Sequence, residues 1–177
     1  MDRTSPLVVV LMGVSGCGKS TTGNALSHAL GWPFRDADSF HPPANISKMS
    51  RGIPLTDADR APWLAAIAGW IDERLVTRTP GIVSCSALKR VYRRQIAGER
   101  ERVRLVYLEG GIELIAGRLA ARKDHFMPAS LLESQFATLE EPQADERPII
   151  VSVAAAPARI VDTIVSALGL ERASGGD

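Results

Sequence analysis

The stretch LVVVLMGVSGCGKST, Leu7–Thr21, decides the fold. Its first part, Leu7–Met12, is a continuous apolar run of the kind that forms a strand buried on both faces. Its second part, Gly13–Ser20, matches the pattern GxxxxGK[ST], and a helix-like stretch, Ser20–Leu30, follows directly. A chance match in a glycine-rich turn would lack this order of strand, loop and helix. The segment therefore predicts a phosphate-binding loop in a parallel α/β fold.

The composition of this loop suits the triphosphate of ATP. Glycines let the backbone curl so that successive N–H groups point at phosphate oxygens, and the following helix presents its positive end to the same anion. We expect Lys19 to contact the β- and γ-phosphates and the Ser20 hydroxyl to bind Mg²⁺. The predicted nucleotide-binding residues of the loop are Gly13, Val14, Ser15, Gly16, Cys17, Gly18, Lys19, Ser20 and Thr21.

The rest of the chain alternates strand-like and helix-like segments, which predicts a three-layer α/β/α fold with a five-stranded parallel sheet. We expect a single domain over residues 1–172 and a flexible tail at 173–177. The alternation of strands and helices is interrupted by two regions, Asp36–Asp59 and Lys123–Pro148. They are candidates for a substrate cover and a lid, because ligands gather at the carboxyl ends of the strands in such a sheet. The other strand-like runs are Trp32–Phe34, Gly81–Ser84, Val103–Leu108 and Ile149–Val153, and the other helix-like stretches are Pro62–Val76, Lys89–Ala97, Ile112–Lys123, Ser130–Leu139 and Ala158–Leu168.

The bulk properties exclude several classes of protein. The chain has 177 residues and a formal net charge of +1, so no overall field attracts nucleic acid or an anionic membrane. The early apolar run is too short to span a bilayer or to act as a signal peptide. Cys17 and Cys85, the two cysteines, have no metal-ligand spacing. We therefore expect a cytoplasmic protein with no nucleic-acid or membrane partner.

Two absent patterns favour a small-molecule kinase over a nucleotide-dependent switch. The chain contains no Asn-Lys-x-Asp element, and no clear strand ends in a Walker-B aspartate: Val103–Leu108 runs into Glu109, and Gly81–Ser84 runs into Cys85. Asp36 and Asp38 offer carboxylates instead, and on an extended chain they would point to the same side. Asp36 would then hold the metal and Asp38 would accept the proton of the attacking hydroxyl. An aspartate-rich turn or a helix cap is the alternative interpretation.

Several longer motifs resemble those of one family. Asp36–Asn45 reads DADSFHPPAN and continues through Lys48-Met49 into GIPLTDADRAPWL at Gly52–Leu64. CSALKR at Cys85–Arg90 is followed by Tyr92-Arg93, then by His125-Phe126-Met127 and by LLxSQFxTLE at Leu131–Glu140. These blocks, in register from Leu7 to Pro142, resemble the gluconokinases of the thermoresistant type, which are related to shikimate and nucleoside monophosphate kinases. One departure is Arg94, where the family pattern leads us to expect aspartate.

The resemblance implies a mononucleotide-kinase-like fold with a helical lid at about residues 118–140. It also implies ATP and Mg²⁺ as cofactors, and transfer of phosphate to the terminal hydroxyl of D-gluconate to give 6-phospho-D-gluconate. Members of the family resemble each other in being cytoplasmic homodimers that feed the pentose phosphate route. The alternatives are a shikimate or nucleoside monophosphate kinase with another acceptor, and an ATP-binding regulator that transfers no phosphate.

Gluconate carries a carboxylate and a row of hydroxyls, so its pocket needs cations at one end and hydrogen-bonding groups along its length. Arg51 and Lys89 are the predicted carboxylate partners, and His41 and Lys48 are predicted donors to hydroxyls or to the carboxylate. Trp63 and Trp70, seven residues apart, are interpreted as core or dimer packing. The full predicted substrate-binding set is Asp38, His41, Lys48, Arg51, Lys89, Arg90, His125 and Gln135.

The predicted catalytic residues are Asp38, Lys19 and Arg122. Arg122 would close over the transferring phosphoryl group and stabilise its charge. Arg118, one helical turn earlier, would contact the nucleotide. A solvated arginine-rich helix is the alternative for both arginines.

Overall fold

The computed structural model describes residues 7–121 and 129–173, and it shows one parallel sheet with helices on both faces. The strands are β1 (Val8–Met12), β2 (Phe34–Asp36), β3 (Gly81–Ser84), β4 (Val103–Glu109) and β5 (Ile149–Ser152). The α-helices are α1 (Lys19–Leu30), α2 (Pro43–Ser50), α3 (Asp57–Thr77), α4 (Arg90–Ile96), α5 (Ile112–Ala121), α6 (Ala129–Thr138) and α7 (Pro157–Leu168). Short 3₁₀ turns lie at Ala37–Phe40 and Ala144–Glu146.

The strand order is β2-β3-β1-β4-β5, and every neighbouring pair is parallel. β1 lies at the centre, where Val10 pairs with Val83 of β3 and with Leu105 of β4. All five residues of β1 are buried, as its unbroken apolar sequence predicts. The predicted three-layer fold with a five-stranded parallel sheet is confirmed.

Successive side chains of β1 enter two separate cores. Val9 and Leu11 pack with apolar residues of α1, α5 and α7. Val8, Val10 and Met12 pack on the other face with α3 and α4. This arrangement follows from the two-residue period of a strand, because neighbouring side chains point to opposite faces of the sheet.

β5 is covered on one face only, although its apolar sequence is typical of a strand buried on both faces. Val151 is 4% exposed and packs with α7, whereas Ile150 on the other face is 52% exposed. β5 is an edge strand, and its sequence, although wholly apolar in Ile149–Val151, does not reveal that position. An apolar run predicts a strand better than it predicts how many faces of that strand are covered.

The region 36–59 is more regular than its Pro, Asp and Gly content suggests. It contains a 3₁₀ turn and α2, which has Pro43 at its first position, where proline is well tolerated. α3 begins at Asp57 rather than at the predicted Pro62, because Thr56 and Asp59 form a reciprocal capping box one turn and a half earlier. Within the described ranges no helix is both long and apolar enough to cross a membrane.

Candidate active site

A cavity of about 270 Å³ opens where β1, β2 and β3 end, at the carboxyl edge of the sheet. The position agrees with the rule that ligands of open α/β sheets bind beyond the carboxyl ends of the strands. The lining residues are Ser15, Gly16, Gly18, Lys19, Ser20, Thr21, Asp36, Ala37, Asp38, Trp63, Ser84, Cys85, Ser86 and Leu119. The loop residues and both predicted aspartates therefore share one cavity.

Two glycines of the phosphate loop combine a positive φ with a close approach of neighbouring atoms. Gly13 has φ +146°, and a Cβ there would lie 2.8 Å from Cys17 Sγ and 2.9 Å from the carbonyl oxygen of Leu108. Gly16 has φ +82°, and a Cβ there would lie 2.6 Å from a methyl carbon of Leu119. Both positive φ values and both close approaches exclude a larger residue.

Lys19 is the first residue of α1, and its ammonium group folds back over the loop. Nζ donates to the carbonyl oxygens of Gly13 at 2.9 Å and Val14 at 3.0 Å. The first turn of α1 contains no acidic residue, so no side chain of that turn offsets the positive end of the helix dipole. The loop thus presents a cation and a helix N-terminus to the same cavity.

Asp36 and Asp38 lie at the end of β2, but the chain is not extended across both of them. β2 ends at Asp36, whose Oδ1 accepts a hydrogen bond from the Asp38 backbone N–H at 3.0 Å and caps the 3₁₀ turn. Its other oxygen, Oδ2, accepts from the Ser20 hydroxyl at 2.8 Å. The extended-chain geometry predicted for the pair is therefore wrong, because the capping bond turns the chain after Asp36. Asp36 is a helix cap and also a neighbour of the loop serine.

The oxygen atoms at Ser20 and Asp36 fit a bound Mg²⁺. Among the described residues, no three His, Cys, Asp or Glu side chains gather in a way that could hold a metal ion. Mg²⁺ bound with a nucleotide usually needs only one or two protein oxygens, because phosphates and water supply the rest. Ser20 Oγ and Asp36 Oδ2, hydrogen-bonded to each other beside the loop, are two such hard donors.

A charged pair links α2 to α3, and neither of its members is among the residues that line the loop cavity. Lys48 Nζ contacts both Asp59 carboxylate oxygens, at 2.7 and 2.8 Å. The hydrogen bond from Lys48, with further bonds from Thr56, lowers the Asp59 pKa from 3.8 to about 2. Arg51 follows α2 in an exposed position, and its Nε donates to the Ser47 carbonyl oxygen at 3.1 Å. Lys48 thus ties α2 to α3, while the Arg51 side chain lies at the surface.

Lys89 lies at the start of α4 and faces α3. Its Nζ is 3.5 Å from both carboxylate oxygens of Asp57, to which the Tyr92 hydroxyl also donates. The Tyr92 hydrogen bond is the largest of the effects that hold the Asp57 pKa below its ordinary value, and Lys89 adds to it. Sequence reasoning missed Asp57, which lies in the capping box sequence, although it is the partner of a predicted substrate cation.

Trp63 lines the loop cavity, a position that the sequence did not indicate. Its indole stacks on the His41 imidazole with ring centroids 4.5 Å apart and planes 11° apart. Its Nε1–H donates to the carbonyl oxygen of Ala37 at 2.8 Å. The interpretation of Trp63 as core packing is confirmed by its burial, but the residue also lines the cavity. The seven-residue spacing between Trp63 and Trp70 indicated packing and did not predict that Trp63 lines a cavity.

Comparison with known proteins identifies the family. A gluconokinase from Gluconobacter oxydans (strain 621H) is 47% identical over 160 residues, which cover 90% of each chain. The chain belongs to the gluconokinase family. A gluconokinase structure from Sinorhizobium meliloti 1021 aligns over 94% of each chain with 48% identity and a TM-score of 0.81. A sugar kinase structure from Janibacter sp. HTCC2649 aligns over 93% of this chain and 95% of its own, with 44% identity and a TM-score of 0.84.

A family model described as "SKI: Shikimate kinase" matches residues 15–168. That match identifies the wider superfamily of phosphate-loop kinases around the gluconokinase family. The resemblance drawn from the sequence motifs is therefore confirmed, and so is the phosphate-loop kinase fold.

Gln135 of this gluconokinase-family chain lies against the nucleotide loop. Its Oε1 accepts from the Ser15 backbone N–H at 2.7 Å, and its Nε2 donates to Ser15 Oγ at 2.9 Å. The residue was predicted to bind the acceptor, yet in the structure it connects α6 to the phosphate loop.

Arg118 and Arg90, two other predicted residues of the family site, lie in separate cavities. Arg118 donates to the Val153 carbonyl oxygen and lines a cavity of about 340 Å³ with Thr21 and Pro157, next to the loop. The Arg90 guanidinium pairs with Asp145 and lines a different cavity, of about 540 Å³. Arg90 is not among the residues that line the loop cavity. The predicted residues Arg122 and His125 lie outside the described residues.

Both cysteines are buried, Cys17 within the loop and Cys85 directly after β3. Burial raises the pKa of the Cys17 thiol, and it raises the pKa of Cys85 to about 12. Neither is therefore a thiolate at neutral pH, and the chemistry of this site depends on oxygen and nitrogen groups.

Proposed function

We propose that this protein phosphorylates D-gluconate on its terminal hydroxyl with ATP, and that the product is 6-phospho-D-gluconate. The observation that carries the proposal is the shared cavity in which the phosphate loop faces the Asp38 carboxylate. The relatives that match over most of the chain are named gluconokinases, which indicates the acceptor.

The proposed mechanism is direct in-line transfer without a covalent enzyme intermediate. The loop N–H groups and Lys19 hold the β- and γ-phosphates of ATP. Asp38 orients the terminal hydroxyl of gluconate and accepts its proton, while the hydroxyl oxygen forms a bond to the γ-phosphorus and the bond to ADP breaks. The exposed Asp38 side chain, 89% accessible, has room to face an incoming alcohol. Arg122 would close over the transferring group.

Ser20 and Asp36 would hold the Mg²⁺ that accompanies ATP. An ion held there would neutralise charge that develops on the phosphoryl group during transfer. The Ser20–Asp36 hydrogen bond already brings the two donor oxygens to the same side of the loop. Arg118 and the cavity that it lines beside Thr21 are the proposed contact for the rest of the nucleotide.

Lys89 is the proposed main partner of the gluconate carboxylate. Its two contacts with Asp57 are long, at 3.5 Å, so a substrate carboxylate could replace them with shorter bonds. Arg51 and Lys48 are proposed to bind the rest of the sugar acid, and His41 lies beside Asp38. Arg90, His125 and Gln135 complete the proposed set, Gln135 from its position on Ser15.

Assembly and location are proposed on the strength of the family resemblance. We propose a cytoplasmic homodimer with one kinase domain over residues 1–172, a lid at about 118–140 and a tail at 173–177. Light scattering on the purified protein would test the dimer, since a single mass near 19.0 kDa would contradict it.

The function is tested by ADP release, coupled to a second enzyme, with gluconate, shikimate, AMP or no acceptor. We expect gluconate alone to raise the rate well above the background. Shikimate is the informative competitor because the matching family model carries that name. A rate that rises with shikimate or AMP, or that needs no acceptor, would contradict the proposal and support another kinase or a hydrolysing regulator.

A further inference from the structure

Beside the proposed base lies a buried histidine whose two ring nitrogens have different partners. We propose that Asn45 and Trp63 hold the His41 imidazole in the form protonated on Nε2, and that His41 is a positioning residue for the Asp38 carboxylate. The proposal rests on the proposed function, because it assigns Asp38 as the base. Asn45 and Trp63 thereby gain a role in the site through their contacts with His41.

Asn45 fixes which ring nitrogen carries the proton. Its side chain is buried, with the residue 2% exposed, and Nδ2 lies 2.8 Å from the backbone carbonyl oxygen of Asp59. A carbonyl oxygen only accepts, so the amide must present its NH₂ group there. The same nitrogen lies 3.3 Å from His41 Nδ1. Because an amide nitrogen only donates, Nδ1 is the acceptor, and the proton of the neutral ring is on Nε2.

Trp63 fixes the plane of the ring and the backbone that carries the base. The indole stacks on the imidazole, and its Nε1–H holds the carbonyl oxygen of Ala37, the residue between the two aspartates. The His41 backbone N–H also donates to the Asp38 carbonyl oxygen, at 3.3 Å. Asp38 and His41 therefore lie in one short turn, which these hydrogen bonds and the ring stack stabilise.

The Nε2 atom faces the base. It lies 4.0 Å from Asp38 Oδ1, and the His41 side chain is only 6% exposed. This separation is longer than a hydrogen bond, but the Asp38 side chain is exposed and has room to approach. A donor on one carboxylate oxygen would leave the other oxygen free for the acceptor hydroxyl.

Burial favours the neutral form of the His41 ring. Burial lowers its pKa, Asp38 opposes this effect, and Arg60 adds to it. A neutral N–H can orient a carboxylate without the strong loss of basicity that a neighbouring cation would cause. His41 would thus orient the base and preserve its ability to accept a proton.

The test compares two amides at position 41. In His41→Gln the side-chain NH₂ reaches roughly the place of Nε2, whereas in His41→Asn it reaches only that of Nδ1. We expect His41→Gln to keep kcat with gluconate within about tenfold of wild type and His41→Asn to lose about 10²-fold, the cost of a misplaced reacting group. The gluconate KM should change little in both. His28→Gln and His28→Asn, on the exposed face of α1, are the matched controls.

Equal losses in the two variants would overturn the proposal. A raised gluconate KM with an unchanged kcat would also overturn it, since His41 would then bind the sugar acid directly. A ¹⁵N NMR spectrum of the His41 ring in the wild-type protein is a second measurement, which needs neither substrate nor a variant. The proposal requires a proton on Nε2, and a proton on Nδ1 would contradict it. Failure of wild type to use gluconate would instead contradict the proposed function.

Discussion

The two halves of the proposed site, the nucleotide side and the acceptor side, are built in different ways. On the nucleotide side, backbone geometry creates the site: glycines at positive φ, loop N–H groups and the start of α1. On the acceptor side, paired charges such as Lys48–Asp59 and Lys89–Asp57 link α2, α3 and α4. Side chains far apart in the chain make the second half. A short pattern can therefore encode a phosphate site, whereas an acceptor site depends on the fold.

The largest expected effect comes from the residue where the two halves meet. Asp38→Asn should lower gluconate-dependent turnover by about 10²- to 10⁴-fold, because the amide cannot accept the proton of the hydroxyl. ATP binding should be largely retained, since the loop does not depend on that carboxylate. Steady-state kinetics and ATP titration would measure the two effects.

Asp162→Asn, on the surface of α7, is the control and should leave both quantities unchanged. Normal turnover in Asp38→Asn would reject the assignment of the base. Loss of ATP binding would show that the two halves are not separable at this residue.

The nucleotide half could be predicted from the sequence because its determinants are local. Gly13–Ser20 gave the loop, and the apolar runs gave the parallel sheet. The partners of the predicted cations could not be found in this way: Asp57 meets Lys89 across 32 positions of sequence. The stack of His41 on Trp63 and the contact of Gln135 with Ser15 likewise depend on helix packing. Asp36 was predicted to hold the metal and lines the cavity, but it also caps the 3₁₀ turn, which the sequence analysis gave only as the alternative interpretation.

Two glycine-to-alanine substitutions, one in the phosphate loop and one between α2 and α3, would test whether ATP binding depends on the backbone geometry of the loop alone. In Gly16→Ala, a positive φ and a Cβ only 2.6 Å from Leu119 should together cost about 2–5 kcal/mol in the free energy of unfolding and weaken ATP binding. In Gly52→Ala, φ is +69° but no atom lies within 4 Å, so only the strain of about 1–2 kcal/mol remains. Chemical denaturation and ATP titration are the measurements. Equal ATP affinity in both variants would contradict the difference between the halves.

The acceptor half is tested by replacing Lys89, the residue proposed to bind the gluconate carboxylate. Lys89→Gln should raise the gluconate KM by about tenfold to a hundredfold, as expected for loss of a charge-assisted hydrogen bond of about 1.5–3 kcal/mol. The ATP KM should not change. Arg172→Gln removes a similar cation from a surface pair and serves as control. An unchanged gluconate KM would exclude Lys89 as the carboxylate partner and leave Arg51 as the next candidate.

The smallest expected effect concerns the charge pair that ties α2 to α3. The folded-state pKa of Asp59 is depressed from 3.8 to about 2, so its ionised form contributes stability above pH 3.8 that is lost as the pH falls towards 2. Wild type should therefore exceed Asp59→Asn in the free energy of unfolding at pH 5, and the difference should shrink as the pH approaches 2. Urea denaturation at several pH values would measure it. A difference that stays constant with pH would show that the Asp59 carboxylate does not stabilise the fold through its charge.

The most direct test of transfer from the loop to the terminal alcohol is a ³¹P NMR spectrum of the reaction of wild-type protein with ATP, Mg²⁺ and gluconate. We predict a new phosphomonoester signal, split by the two protons of a neighbouring CH₂ group, that appears only when gluconate is present. A spectrum that shows only ADP and inorganic phosphate, or an ester split by one proton of a secondary carbon, would contradict the account.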